Sequence, residues 1–468
     1  MSKLVVRIEE ALIENFKNVK TGTLNFENKR KNYRSSIVGL YGQNGSGKTA
    51  LIDAIQLLKL SLSGKVIPKK YVDYINVDAD DSTLSFQFKL NKEDIEYHVW
   101  YQFSLKKVED SLETEENDLS NSKINYKIQI VDEVLSFSYI TKETKLRKSL
   151  LVDTRTSEVF MPKSKYNELL ENNEEDVMEL FLTKRLTQEQ SRSFIFSKEM
   201  IERFRKYCKN NIYLDIFNGL TTFGIRELFV INTQHEGLIN MNALPLAFKY
   251  KEKNAELFGN LLFPLEQSVP IPEEATNVIK KITDNMNIVL QQLVPGLTVG
   301  VVDLGPVVSK EGKAGRLIQL MSLKNGKAIP FRYESEGIKK IVSILQLLIV
   351  VYNNSSITVV IDELDSGIFE YLLGEILRII SEKGKGQLIF TSHNLRPLET
   401  IDKGFIAFTT TNPQNRYIRL TNVKGNNNLR DFYYRDIVLG EQNEQLYNST
   451  NNFEIALAFK EAGDSFGS

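Results

Sequence analysis

Gly42-Gln43-Asn44-Gly45-Ser46-Gly47-Lys48-Thr49 decides how this chain is read. The octapeptide fits GxxxxGK[ST] completely, and it stands between a short apolar run, Ser36–Tyr41, and helical spacing over 50–60. Glycines let a backbone wrap closely enough for its N–H groups to converge on phosphate oxygens. A helix beginning near Lys48 adds the positive end of its dipole. In this reading Gly42, Asn44, Gly45, Ser46 and Gly47 shape a phosphate cradle. Lys48 reaches the β- and γ-phosphates of a nucleotide, and Thr49 holds Mg2+. The flanking elements weigh against a glycine turn that binds nothing.

A second cluster lies far downstream. Ile357-Thr358-Val359-Val360-Ile361-Asp362-Glu363 is a β-branched strand ending in two carboxylates. Asp362 is placed to complete a Mg2+ shell and Glu363 to orient and deprotonate a water. Taken alone, such a strand is more often a buried element with surface acids at its end. One helix later, Gln387-Leu388-Ile389-Phe390-Thr391-Ser392-His393-Asn394 is another apolar strand ending in polar groups, with His393 placed to meet a γ-phosphate or the attacking water. Upstream, Tyr333-Glu334-Ser335-Glu336-Gly337 opens an apolar helix over 338–352. Ser335 reads as an N-cap. In the sharper reading Ser335 Oγ, Gly337 N–H and the helix dipole together sense a phosphate. The helix is apolar all round, which predicts burial inside a lobe.

Composition removes several other classes. The chain has 468 residues, 59 Lys+Arg against 60 Asp+Glu, one Cys and three His. At about 150 residues per domain the length allows roughly three lobes. A net charge of −1 excludes a generally basic nucleic-acid coat, though not a local basic patch. One Cys excludes a disulfide framework and a Cys-rich zinc site. His98, His235 and His393 leave little for His-based metal ligation. The opening MSKLVVRIEE is charged where a secretory segment is apolar. The longest apolar run, 341–352, is shorter than the roughly 20 residues that span a bilayer. With a single thiol, the cytoplasm is the expected compartment.

Along the chain, strands are expected at 4–8, 11–13 and 23–26. A hairpin follows over 82–106, hinged on Asn91–Asp94, and then a polar acidic loop over 109–124. Residues 125–160 read as strands and 164–211 as charged helices. A strand at 226–231 and the helix Glu273–Leu293 come next, with strands at 298–303 and 317–323. The last third holds a helix at 369–382, a strand at 404–409 and a polar tail. Two motifs are set aside. Asn91-Lys92-Glu93-Asp94 mimics a guanine-selecting NKxD, and Asp78-Ala79-Asp80 is a DxD. Both read as turns.

The four elements, in this order, resemble the ABC-type ATPases of the RecF, SMC and OLD group, closest to AAA family ATPases of the AAA_15/AAA_21 kind. Asn15-Phe16-Lys17-Asn18 resembles that group's amino-terminal signature, 334–340 its SEGxK form of the ABC signature, 361–368 its Walker B and D-loop, and 391–394 its switch-histidine region. The resemblance implies an α/β fold: a P-loop NTPase of ABC type with a mixed sheet, split by a β/α insertion. Residues 1–106 and 296–420 would form the two parts of the ATPase core. Residues 107–295 would be an insertion for oligomer or partner contacts, and 421–468 a tail. It implies ATP and Mg2+ as cofactors, with Glu363, Lys48 and His393 acting in one subunit. Ser335 and Gly337 would meet the γ-phosphate held by another subunit, making a homo-oligomer. Phe369 stands where relatives often carry His or Asp, and Gln87 is one candidate for the Q-loop glutamine. Chains of this kind and size often belong to two-gene anti-phage systems of the PARIS, AbiL and Septu types. The expected function is therefore an ATP-driven switch controlling a separate effector, a nuclease by analogy. The alternative is a RecF- or SMC-like ATPase that clamps DNA through 29–34 and 65–70, stretches that read more readily as solvated loops.

Overall fold

Four apolar runs, Ser36–Tyr41, Thr358–Ile361, Gln387–Thr391 and Ile406–Thr409, lack the alternation of a strand with one wet face. In the computed structural model they lie side by side in a six-stranded sheet. The structure describes residues 4–28, 35–110, 125–156, 158–169, 174–232, 243–252, 255–308, 314–324, 326–420, 428–439 and 442–464. The sheet order is Tyr417–Ile418, Ile406–Thr409, Ser36–Tyr41, Gln387–Thr391, Thr358–Ile361, Leu228–Ile231. All pairs are parallel except the first. Period two sends successive side chains to opposite cores. Val38, Leu40, Val360, Ile389 and Ala407 enter one, while Ile37, Tyr41, Val359, Ile361, Leu388 and Phe390 enter the other. The expected α/β class, with a mixed sheet around the P-loop strand, is observed.

The helix Lys48–Leu62 covers the first face, together with a six-stranded antiparallel sheet. Its hairpin Asp81–Lys92/Ile95–Glu109 alternates cleanly, with Leu84, Phe86, Phe88, Tyr97, Val99 and Tyr101 fully buried. Glu93, at its tip, has φ +54, so the NKxD look-alike is a turn. At 78–80, the Asp78 N–H donates to Asn76 Oδ1 and the Ala79 N–H to Asn76 O, again a turn. The sheet continues across residue 106 into Tyr126–Ile140 and Lys145–Asp153. The second face is covered by the helices Glu273–Leu293, Glu336–Asn353 and Glu370–Lys383.

Several boundaries differ from the sequence reading. The first strand is continuous over Val5–Phe16, with a bulge between Ile8 and Glu10 that turns Glu9 inward, where Gln87 and His98 bind its carboxylate. Two adjacent acids had broken the apolar pattern there. The strand at 226–231 begins only at Leu228, after a π-turn over Phe223–Glu227. A hairpin, Ala243–Glu252/Ala255–Pro264, was not expected. The polar tail carries two helices, Leu429–Leu439 and Asn452–Asp464. Residues 29–34, His235 and 111–124 of the acidic loop lie outside the described residues. Among the described residues, no helix is long and apolar enough to cross a membrane.

Candidate nucleotide-binding site

The P-loop strand ends at Tyr41, and the next turn requires glycine. Gly42, Gly45 and Gly47 have φ of +151, +74 and +94. A Cβ on Gly42 would lie 1.8 Å from Thr409 Oγ1. Side chains engage the loop's carbonyl oxygens. Lys48 Nζ donates to Gly42 O at 2.8 Å and Gln43 O at 2.9 Å, Asn18 Nδ2 to Gly45 O, and Tyr417 OH to Gly47 O at 2.9 Å. In a trans peptide the following N–H points the opposite way, so these bonds turn amides toward the space a phosphate would fill. Ser46 Oγ donates to Gln43 O and meets Thr409 Oγ1, bracing the loop from within. Thr49 lies in the first turn of the helix that starts at Lys48, and Asn44 is exposed on the loop.

Residues from the far end of the chain converge here. The acid strand Thr358–Ile361 is separated from the P-loop strand only by Gln387–Thr391. Asp362 is almost fully buried, and its Oδ1 accepts from Thr391 Oγ1 at 2.6 Å. Glu363 follows in a left-handed conformation, φ +48, with its N–H donating to the same Thr391 oxygen at 2.8 Å. His393 is exposed, and its backbone N–H donates to Asp365 Oδ2 at 3.0 Å. Burial pushes the Lys48 ammonium pKa down, while the charges of Asp362, Glu363 and Asp365 push it up. The P-loop lysine and the acids therefore share one electrostatic site.

A cavity of about 630 Å3 adjoins the loop, lined among others by Lys17, Asn18, Tyr74, Asn76 and Arg416. Asn15 and Lys17 both have left-handed backbone, φ +53 and +52. Lys17 Nζ pairs with the buried Asp53 and lies 3.9 Å from the centre of the Tyr74 ring. Burial raises the Asp53 pKa, and Lys17 works against that rise. Asn232, just past the edge strand Leu228–Ile231, donates to the other Asp53 oxygen. In the sequence, Lys17 and Asn18 stand out only as part of a signature, and Asp53, Tyr74, Asn232 and Arg416 carry no signal because their contacts depend on distant partners. The tail also reaches the loop, since the Asn448 N–H donates to Gln43 Oε1 at 3.0 Å.

The signature segment caps its own helix. Ser335 Oγ accepts from the Ile338 N–H at 3.4 Å, and Ser335 is exposed. Gly337 has a reason inside the chain, because a Cβ there would lie 2.4 Å from Gly367 O of the D-loop. Lys340, one turn on, is buried, which lowers its pKa against the pull of Asp365, Glu363 and Asp362. Gln87 is not at the phosphate loop. It sits in the antiparallel sheet, donating to Glu9 Oε2 at 2.8 Å and accepting from Trp100 Nε1 at 3.0 Å, which removes it as a Q-loop candidate. In the basic stretch 65–70, Lys69 pairs with Asp110 at 2.9 Å.

The family model AAA_21, described as "AAA domain, putative AbiEii toxin, Type IV TA system", matches residues 37–399. No curated protein matches the chain. Among solved structures, an SMC head bound to the C-winged helix domain of ScpA is 12% identical, with 88% of this chain and 97% of that one covered and a TM-score of 0.38. The SMC head domain from Thermotoga maritima is 12% identical, with coverage of 88% and 99% and a TM-score of 0.33. The recombination mediator protein RecF, in a RecF-ATPrS structure, is 12% identical, with coverage of 89% and 98% and a TM-score of 0.35. With TM-scores below 0.5, these likenesses do not bear on function.

Proposed function

The chain belongs to the AAA_21 family of AAA domains, and on that premise we propose that it is an ATP-hydrolysing molecular switch. The observation that supports this most is the convergence at Lys48. A complete phosphate loop at the end of Ser36–Tyr41 lies only one strand, Gln387–Thr391, away from the strand that ends at Asp362 and Glu363. The phosphates of ATP would lie on the loop amides, with Lys48 leaving the Gly42 and Gln43 carbonyls to meet them. The adenosine part would lie toward the cavity beside Lys17 and Tyr74.

Thr49 Oγ1 and the Asp362 carboxylate are hard oxygen donors, which suits Mg2+. Among the described residues, no group of three or more His, Cys, Asp or Glu could hold a metal alone. Bound by Thr49 and Asp362, Mg2+ would neutralise charge on the β- and γ-phosphates. Glu363 would orient the attacking water and accept its proton, and His393 would hydrogen-bond the γ-phosphate or that water.

Ser335 and Gly337 would close the site of a second copy, so that ATP is sandwiched in a head-to-tail pair and hydrolysis separates it. In this reading the pair controls a separately encoded effector, a nuclease, in anti-phage defence. The helix Asn452–Asp464, with Phe453 and Phe459 exposed, offers a surface for such a partner. Purified protein should hydrolyse ATP only with Mg2+. Lys48→Ala should abolish turnover, and Glu363→Gln should abolish it while stabilising the ATP-bound assembly, read by mass measurement with and without ATP. Intact turnover in Glu363→Gln would falsify the assignment.

A further inference from the structure

Thr391 ends the strand that separates the P-loop from the two acids, and its hydroxyl serves both of them. It donates to Asp362 Oδ1 at 2.6 Å and accepts from the Glu363 N–H at 2.8 Å. Thr391 is 1% exposed. We infer that Thr391 is a positioning residue for hydrolysis, its one hydroxyl setting the rotamer of the metal-side carboxylate and the backbone turn that aims Glu363. This rests on the ATPase reading and adds to it a residue that does not itself touch the nucleotide.

The geometry separates this role from strand pairing. Thr358–Ile361 and Gln387–Phe390 are already locked by a parallel ladder of four residue pairs. Valine keeps the shape at position 391 but removes the hydroxyl, so Asp362 Oδ1 and the Glu363 N–H each lose that partner. What the hydroxyl adds lies beyond the ladder, where the chain leaves the strand. Glu363 has φ +48, a conformation that side-chain-bearing residues adopt only when something holds them there. The bond from its N–H to Thr391 supplies that hold, because it fixes the peptide linking Asp362 to Glu363.

A second brace runs the opposite way between the same two strand ends. Asp365 Oδ2 accepts from the N–H groups of His393 and Asn394, at 3.0 and 2.9 Å. The Leu364 N–H donates to Thr391 O at 3.0 Å. The acid turn and the switch turn are thus cross-tied. Thr391 governs the carboxylates, and Asp365 governs the backbone that carries His393. A carboxylate whose second oxygen is bonded from behind presents the other in a fixed direction. That is how supporting partners tune metal ligands, at about 10- to 100-fold in affinity or activity per partner lost.

Thr391→Val and Thr391→Ser separate the possibilities. In Thr391→Val, kcat should fall about 10- to 100-fold. Its affinity for a fluorescent ATP analogue in EDTA should match wild type, because the phosphate loop is untouched. The gain in that affinity on adding Mg2+ should shrink. Thr391→Ser, which keeps the hydroxyl, should restore kcat to within a few-fold of wild type. Wild-type kcat and Mg2+ dependence in Thr391→Val would overturn the inference. So would a Val variant that fails to fold, since the hydroxyl would then serve the fold. If Glu363→Gln is inactive while Thr391→Val is normal, only this inference fails. If Glu363→Gln also turns over normally, the ATPase reading fails with it.

Discussion

The half of the site built around the P-loop and the half built around the signature are made differently. In the first, Lys48, Asp362 and Thr391 are buried, and the acid and switch turns brace each other. In the second, Ser335 is exposed on a 3.4 Å cap bond, and large aromatics stand beside it in solvent, Tyr333 at 69% and Phe369 at 71% exposure. The first half is buried and cross-tied within one chain, while the second lies open at the surface, where the proposed pairing would use it.

Substitutions in the two halves should have very different consequences. Glu363→Gln and Lys48→Ala should each lower kcat by about 100- to 1,000-fold or more, read by phosphate release. Gly39→Ala tests how tightly the first half is packed. Its Cβ would lie 2.6 Å from the Phe390 ring, so urea unfolding should show a loss of about 1–3 kcal/mol. On the other side, Phe369→Ala should leave folding unchanged and weaken ATP-dependent self-association about tenfold in sedimentation, a modest hot-spot effect. Ser335→Ala should have the smallest effect on folding, at most about 1 kcal/mol of unfolding free energy for one long, exposed cap bond, while lowering ATP turnover of the pair. A large stability loss there would make the signature a structural element and erase the contrast.

The phosphate-loop segment, the strand ending in Asp362 and Glu363, and the strand leading to His393 can be located in the sequence because each is local: a fixed spacing of residue types between a strand and a helix. The strands around them were legible because both faces are buried, which leaves an unbroken apolar run. What stayed hidden depends on partners distant in sequence. Thr391 was visible as part of a motif, but its hold on Asp362 and Glu363 exists only once two strands pair. The Lys17–Asp53–Asn232 chain joins three separate segments, and no one of them shows a pattern alone. For the same reason the sequence offers Gln87 only as one candidate for a Q-loop glutamine, because only the pairing of strands reveals that its amide bonds to Glu9 and Trp100. The tail looked featureless, yet Asn448 touches the phosphate loop through Gln43.

The central claim is that one copy's phosphate loop is completed by another copy's signature, and mixing two dead variants tests it most directly. Lys48→Ala lacks a working loop. Ser335→Arg blocks the signature at an exposed position that should tolerate the change in folding. Each alone should release almost no phosphate. In an equimolar mixture half the pairs are mixed, and each holds one intact site of two, so activity should return to about a quarter of wild type. A mixture that stays as inactive as its components, although both variants fold and co-sediment with ATP, would contradict the account.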